Sequence, residues 1–132
     1  MRSGLGDGLI EAAERAQQQA YAPYSRYRVG AAVEGEDGSV FAGCNVENAS
    51  YGLVMCAERV AIGAAVAAGV RRFRRVVVVS DSEPPAAPCG ACRQVIFEFA
   101  PDADVLAVGP RSSHRWTMRE LLPAAFSGSQ LA

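Results

Sequence analysis

Val76-Val77-Val78-Val79 is an unbroken apolar, β-branched run, and it lies between two segments that open on cysteine. Upstream stands Cys56-Ala57-Glu58-Arg59; downstream stands Pro88-Cys89-Gly90-Ala91-Cys92-Arg93-Gln94. A run of that kind reads as a central strand, over 74–80, covered on both faces. The cysteine-led segments read as helices over 56–68 and 89–100, stopped by Gly69 and Pro101. A strand that must be covered twice, set between two helices, restricts the chain to an α/β architecture with helices on both faces of a sheet. In such folds the ligand crevice forms at the carboxyl ends of strands and the amino ends of the next helices. Cys56 and Cys89 both fall at helix starts.

The flanking sequence completes that sheet. Asp7 is placed to cap a helix over 8–20, with Leu9, Ile10, Ala13 and Ala16 on one side. Pro23 then enforces an extended loop. Strands over 29–34 and 40–46 form a hairpin around Gly35-Glu36-Asp37-Gly38, with Val40, Ala42, Cys44 and Val46 on one alternating face. That alternation makes Cys44 a buried strand cysteine. A strand over 105–108 is followed by a four-residue turn and an edge strand over 114–118, which must be antiparallel because the connection is too short for a crossover. A helical turn over 119–122 and a loose tail over 127–132 finish the chain. The helix over 56–68 is apolar right round, so it is expected to be buried between layers or at a subunit interface. The expectation is one domain over 1–132: a three-layer α/β/α sandwich on a mixed, about five-stranded sheet.

Composition excludes several classes. The net charge is −1, lysine is absent and every basic residue except His114 is arginine, so nothing draws the chain to nucleic acid. The Arg71-Arg72-Phe73-Arg74-Arg75 cluster reads as a solvated approach to a strand. No apolar run approaches the ~20 residues a bilayer requires, and the start of the chain lacks signal-peptide design. A cytoplasmic setting follows as an expectation, and there thiols serve metals or catalysis more often than disulfides.

Cys89 and Cys92, three apart at a helix start, aim both sulfurs at one point. Cys56 can supply a third ligand to a tetrahedral zinc ion, which binds thiolate at about 2.3 Å. Two helix amino ends, each carrying roughly half a positive charge, stabilise the thiolates, and Arg59 can add hydrogen bonds to them. Three protein ligands leave the fourth place to water, and Glu58 borders the same point as a proton carrier. The competing readings are a structural zinc site completed by Cys44 and a redox dithiol at Cys89 and Cys92. The dithiol leaves Cys56-Ala57-Glu58 without a purpose, and a structural site has no need of Glu58.

The order first ligand, one residue, glutamate, then Pro-Cys-x-x-Cys matches the zinc deaminases. With Tyr24-Ser25-Arg26-Tyr27-Arg28-Val29-Gly30-Ala31-Ala32, Gly43-Cys44-Asn45-Val46-Glu47-Asn48-Ala49-Ser50-Tyr51-Gly52 and Leu121-Leu122-Pro123-Ala124-Ala125-Phe126, the chain resembles the small homotetrameric, three-cysteine cytidine deaminases nearly end to end. The resemblance implies one zinc per chain on Cys56, Cys89 and Cys92, and hydrolysis of cytidine and deoxycytidine to uridine and deoxyuridine with release of ammonia. It implies attack of water at C4, with Glu58 protonating N3 and then serving the departing amino group. It also implies that Asn45 and Glu47 hold the ribose, that the Ala57 backbone meets the base edge, and that Phe126 reaches the base of a neighbouring subunit. Tyr27 matches a position where the family usually has phenylalanine beside the nucleoside. A related aminohydrolase for blasticidin S-like aminonucleosides shares the zinc groups and is the alternative. Arg93 is expected to brace the fold by ion pairing.

Overall fold

The computed structural model describes residues 7–131. Its centre is β3 (Phe73–Ser80), the third of five strands ordered β2-β1-β3-β4-β5. On one side β3 pairs antiparallel with β1 (Val29–Gly35), which pairs antiparallel with β2 (Val40–Cys44). On the other side it pairs parallel with β4 (Asp104–Val108), which pairs antiparallel with the edge strand β5 (Ser113–Thr117). The single parallel pair is the one joined through a helix, as a crossover requires.

The valine run divides between two cores because successive side chains of a strand point to opposite faces. Val77 and Val79 join Ala32, Leu106 and Val108 under α1 (Asp7–Gln17), against Leu9, Ile10 and Ala13. Val76 and Val78 join Ala31, Val33 and Val105 under α2 (Ala57–Ala67) and α3 (Gly90–Phe99), against Ala61, Ile62, Ala65 and Ile96. Each buried valine contributes roughly 1.5–3 kcal/mol of transfer free energy. The result is the expected three-layer sandwich. A short helix, α4 (Met118–Leu121), is capped by Thr117 and Glu120 in a reciprocal capping box and closes the far end.

Two features set α2 in place. Gly69 takes φ +92 after the helix, the left-handed stop that glycine allows without strain. At the other end α2 sits so close to β2 that a Cβ on Gly43 would lie 2.5 Å from Ala61 N and 2.9 Å from Ala57 O. The helix therefore rests backbone to backbone on the sheet, and its amino end is fixed.

Several expectations are corrected. Both cysteine-led helices begin one residue later than the sequence indicated, because Cys56 and Cys89 adopt extended angles as N-caps. Asp7 is the first described residue of α1, and the expected cap there lies outside the described residues. The face shared by Val40 and Ala42 is exposed and Cys44 is half-buried, whereas Gly43 faces α2; β2 is an edge strand, so one of its sides lacks full cover. Within this chain α2 is covered by the sheet on one side, while Gly63, Ala64 and Ala67 are exposed, the side that the alternative of a subunit interface concerns. Arg93 braces the fold by donating to the carbonyls of Pro88 and Leu121, at 2.8 and 2.9 Å, and not by an ion pair. Within the Arg71–Arg75 cluster, Arg74 and Arg75 pair with Glu34 across the sheet. The last segment includes a 3-10 turn at Gly128–Gln130. Among the described residues, no helix is long and apolar enough to cross a membrane.

Candidate active site

The sheet ends where Val29 at the start of β1 faces Ser80 at the end of β3, and β2 finishes alongside. The amino ends of α2 and α3 open onto this edge. Cys56, Cys89 and Cys92 bring their sulfurs within 4.8 Å of one another there. A tetrahedral ion with bonds of about 2.3 Å needs sulfurs roughly 4 Å apart, so the set fits zinc with small adjustment. Cys44 is not part of the cluster, which leaves three protein ligands and an open fourth place.

The local electrostatics favour a thiolate at Cys56. Cys56 Sγ accepts from Arg59 Nη2 at 3.4 Å, and Cys89 Sγ accepts from the backbone N–H of Cys92 at 3.5 Å. The Cys56 thiol is pulled well below its ordinary range, first by a hydrogen bond from Cys92 and then by Arg59. Cys92 is pushed up as the partner in that bond and by burial. Arg59 Nε is buried without a hydrogen-bond partner among the described residues.

Glu58 is 5% exposed and lies at the first turn of α2, where burial pushes its carboxyl above the usual carboxylate range and the Cys56 thiolate adds to the rise. It lines a cavity of ≈ 310 Å³ together with Cys56, Ala57 and Cys89, Val78 and Ser80 of β3, and Ala86 and Ala87 of the loop before α3. Ala57, the first residue of α2, has no intrahelical partner for its N–H.

The opposite wall is a loop. Tyr27 and Val29 line it, with Asn45 and Glu47 at its polar end. Asn45 is 8% exposed; its amide donates to Tyr27 O at 2.8 Å and accepts from Val29 N at 2.9 Å, tying the loop to the end of β2. Glu47 Oε1 accepts from Tyr24 N at 3.0 Å and Ser25 N at 3.1 Å, and Oε2 accepts from the Ser25 hydroxyl.

Eight of the residues singled out from sequence thus meet at one place: Cys56, Ala57, Glu58, Cys89, Tyr27, Asn45 and Glu47 around the cavity, with Cys92 in the thiol cluster beside it. Arg59 stands behind the sulfurs. Phe126 does not join them: it is 57% exposed and is not among the residues lining this chain's cavity. Sequence reasoning assigned nothing to Ser25, Val54, Met55 or Ser80, which also line it. Only Ser25 left a signal, as an unexplained hydroxyl inside a recognised motif.

Fold and site together define a class: an α/β/α protein with a three-cysteine cluster that fits a metal ion, on two helix starts, and a buried carboxyl beside it. The family model for the cytidine and deoxycytidylate deaminase zinc-binding region matches residues 7–108. The chain is 46% identical over 126 residues to a cytidine deaminase of Sporosarcina psychrophila, covering 94% of this chain and 93% of that one. It is 47% identical over 124 residues to a probable cytidine deaminase of Dictyostelium discoideum, covering 92% and 84%. The crystal structure of a cytidine deaminase from Burkholderia pseudomallei superposes with a TM-score of 0.88 at 50% identity, covering 92% of this chain and 98% of that one. A blasticidin-S deaminase of Bacillus cereus is more distant, at 32% over 111 residues, covering 78% and 79%. The chain belongs to the cytidine and deoxycytidylate deaminase family.

Proposed function

We propose that this chain hydrolyses cytidine and deoxycytidine to uridine and deoxyuridine, releasing ammonia. The observation that carries this reading is that Glu58, Cys56 and Cys89 of the cysteine cluster line one cavity together with Asn45 and Glu47. Cys56, Cys89 and Cys92 would hold one zinc ion per chain. Bound there, zinc supplies a Lewis acid that makes water an effective nucleophile near neutral pH.

The chain's own groups do the rest. Glu58 gives a proton to N3 of the pyrimidine, which makes C4 electrophilic. It then delivers the proton released by the attacking water to the departing amino group. Burial suits it to this, since a carboxyl raised above its usual range holds a proton more readily than a solvated one does. The Ala57 N–H meets the base edge, Tyr27 lies beside the nucleoside, and Asn45 and Glu47 hold the sugar. Arg59 offsets the charge of the sulfurs. Phe126, exposed on its own chain, closes the site of a neighbouring subunit in a homotetramer. A small neutral nucleoside is the partner, in the cytoplasm; neither nucleic acid nor membrane is.

The deciding experiment is a substrate panel on metal-quantified protein. The expected result is about one zinc per chain, and ammonia released stoichiometrically with uridine from cytidine and deoxycytidine. Zinc-loaded, folded protein that leaves both nucleosides intact, or that turns over blasticidin S in preference, would overturn the reading.

A further inference from the structure

The polar end of the cavity holds a carboxylate that is already mostly committed. A carboxylate has about four acceptor sites. Glu47 Oε1 spends two of them on the N–H groups of Tyr24 and Ser25, and Oε2 spends one on the Ser25 hydroxyl. One acceptor remains, on Oε2. The same hydroxyl also accepts from Tyr27 N at 3.0 Å, so Ser25 links the carboxylate to the residue that forms the cavity wall. Ser25 and Glu47 both line the cavity.

We propose that Ser25 is a positioning residue for sugar recognition: it fixes the rotation of the Glu47 carboxylate so that a single free acceptor on Oε2 faces the cavity, and ties that orientation to the placing of Tyr27. This rests on the deaminase reading, in which Glu47 accepts from a sugar hydroxyl. Without the Ser25 hydroxyl, Oε2 gains a second vacant site and water competes for it. The carboxylate stays tethered through Oε1 alone and swings about that oxygen. The loss falls on binding, because the sugar lies away from the reacting C4 and its contacts serve ground state and transition state alike. Ser25 also holds Glu47 ionised, its hydroxyl being the first cause of a carboxyl below the usual range.

The test crosses the variant with the substrate group it is meant to orient. Wild type, Ser25→Ala and Ser25→Thr are compared on deoxycytidine and on 2′,3′-dideoxycytidine, which lacks the sugar-ring hydroxyls. Ser25→Ala should raise KM for deoxycytidine about tenfold with kcat within about twofold, and change KM for the dideoxy compound by less than about twofold. Ser25→Thr keeps the hydroxyl and should restore most of the loss. Equal effects on both nucleosides would mean general loosening of the wall and would overturn the proposal. So would an unchanged KM, a fall confined to kcat, or failure of Ser25→Thr to rescue a folded protein. Wild-type protein inert toward deoxycytidine would sink the deaminase reading itself, and this inference with it.

Discussion

Gly43→Ala is the smallest change that should damage the site from outside it. The added Cβ would stand 2.5 Å from Ala61 N, 2.9 Å from Ala57 O and 2.9 Å from Val60 Cβ. Ordinary contacts of these kinds need about 3.4 Å or more, so α2 must move away from β2 by nearly ~1 Å. Two of the three obstacles are backbone atoms of the first turns of α2, which no rotamer change removes. Overpacking of this sort costs about 1–3 kcal/mol, or roughly 3–9 °C in melting temperature for a domain of this size. The same displacement carries Cys56 and Glu58 away from Cys89 and Cys92, which ride on α3. Metal sites tolerate about 0.2 Å, and a misplacement of about 1 Å in a catalytic group can cost ~100-fold in rate. The assay is thermal melting, zinc content and the ultraviolet change on conversion of cytidine to uridine, all on one preparation. The expected result is a lower melting temperature, weaker zinc retention against a chelator, and kcat down by one to two orders of magnitude. A variant within about 2 °C and twofold of wild type would show that β2 and α2 separate freely, and that the seat of the site is not this contact.

Glu58→Gln should keep its zinc and lose about 10²–10⁴-fold in kcat; retained turnover would remove Glu58 from proton transfer. Phe126→Ala should leave the fold intact and cut activity at least about tenfold in a protein that light scattering shows to be tetrameric; a fully active monomer would refute the shared site. Glu34 is held at about 2, from an ordinary 4.5, by Arg75 first and Arg74 second. Because the folded value is the lower one, its stabilisation is complete above about pH 4.5 and fades as pH falls toward about 2. Arg74 and Arg75 are 53% and 35% exposed, so solvent screening reduces the benefit to about 1 kcal/mol. The melting-temperature gap between wild type and Glu34→Gln should therefore be constant above about pH 5 and narrow below it; a gap that widens on acidification would reverse the assignment.

What could be read in advance followed from how local each signal is. The valine run announced a strand covered twice, and the structure splits it into Val76 and Val78 on one core and Val77 and Val79 on the other. Helix starts at the cysteines were legible to within one residue from the cysteine spacing, and Gly69 and Pro101 marked the stops. Alternation in β2 was also real, yet it pointed the wrong way. A period of two says which residues share a face, not which face a neighbouring layer covers, and on an edge strand the two differ. Likewise, apolarity around α2 came from alanine and glycine, which tolerate water far better than leucine or phenylalanine do. Gly63, Ala64 and Ala67, exposed on this chain, are small enough to stand in water or to meet another subunit.

The two walls of the site were legible to different depths for a related physical reason. Cys56, Ala57, Glu58 and Arg59 are consecutive, so one turn of helix converts their order directly into geometry, and Cys89 to Cys92 repeats the device. The other wall depends on a side chain reaching back 22 residues to a loop, as Glu47 does to Ser25. Hydrogen bonds of that span leave no periodicity, and each member alone reads as a polar turn residue. Asn45 shows the consequence: its amide is engaged with the backbone of Tyr27 and Val29, on both sides of Arg28, before any ligand arrives. A residue picked out for contact with substrate is thus also a brace for the wall that substrate meets. Mutating Asn45 would lose recognition and loop geometry together, which makes it a poor probe of either. Ser25 serves both through one hydroxyl, and it is the contrast between deoxycytidine and its dideoxy analogue that separates the two.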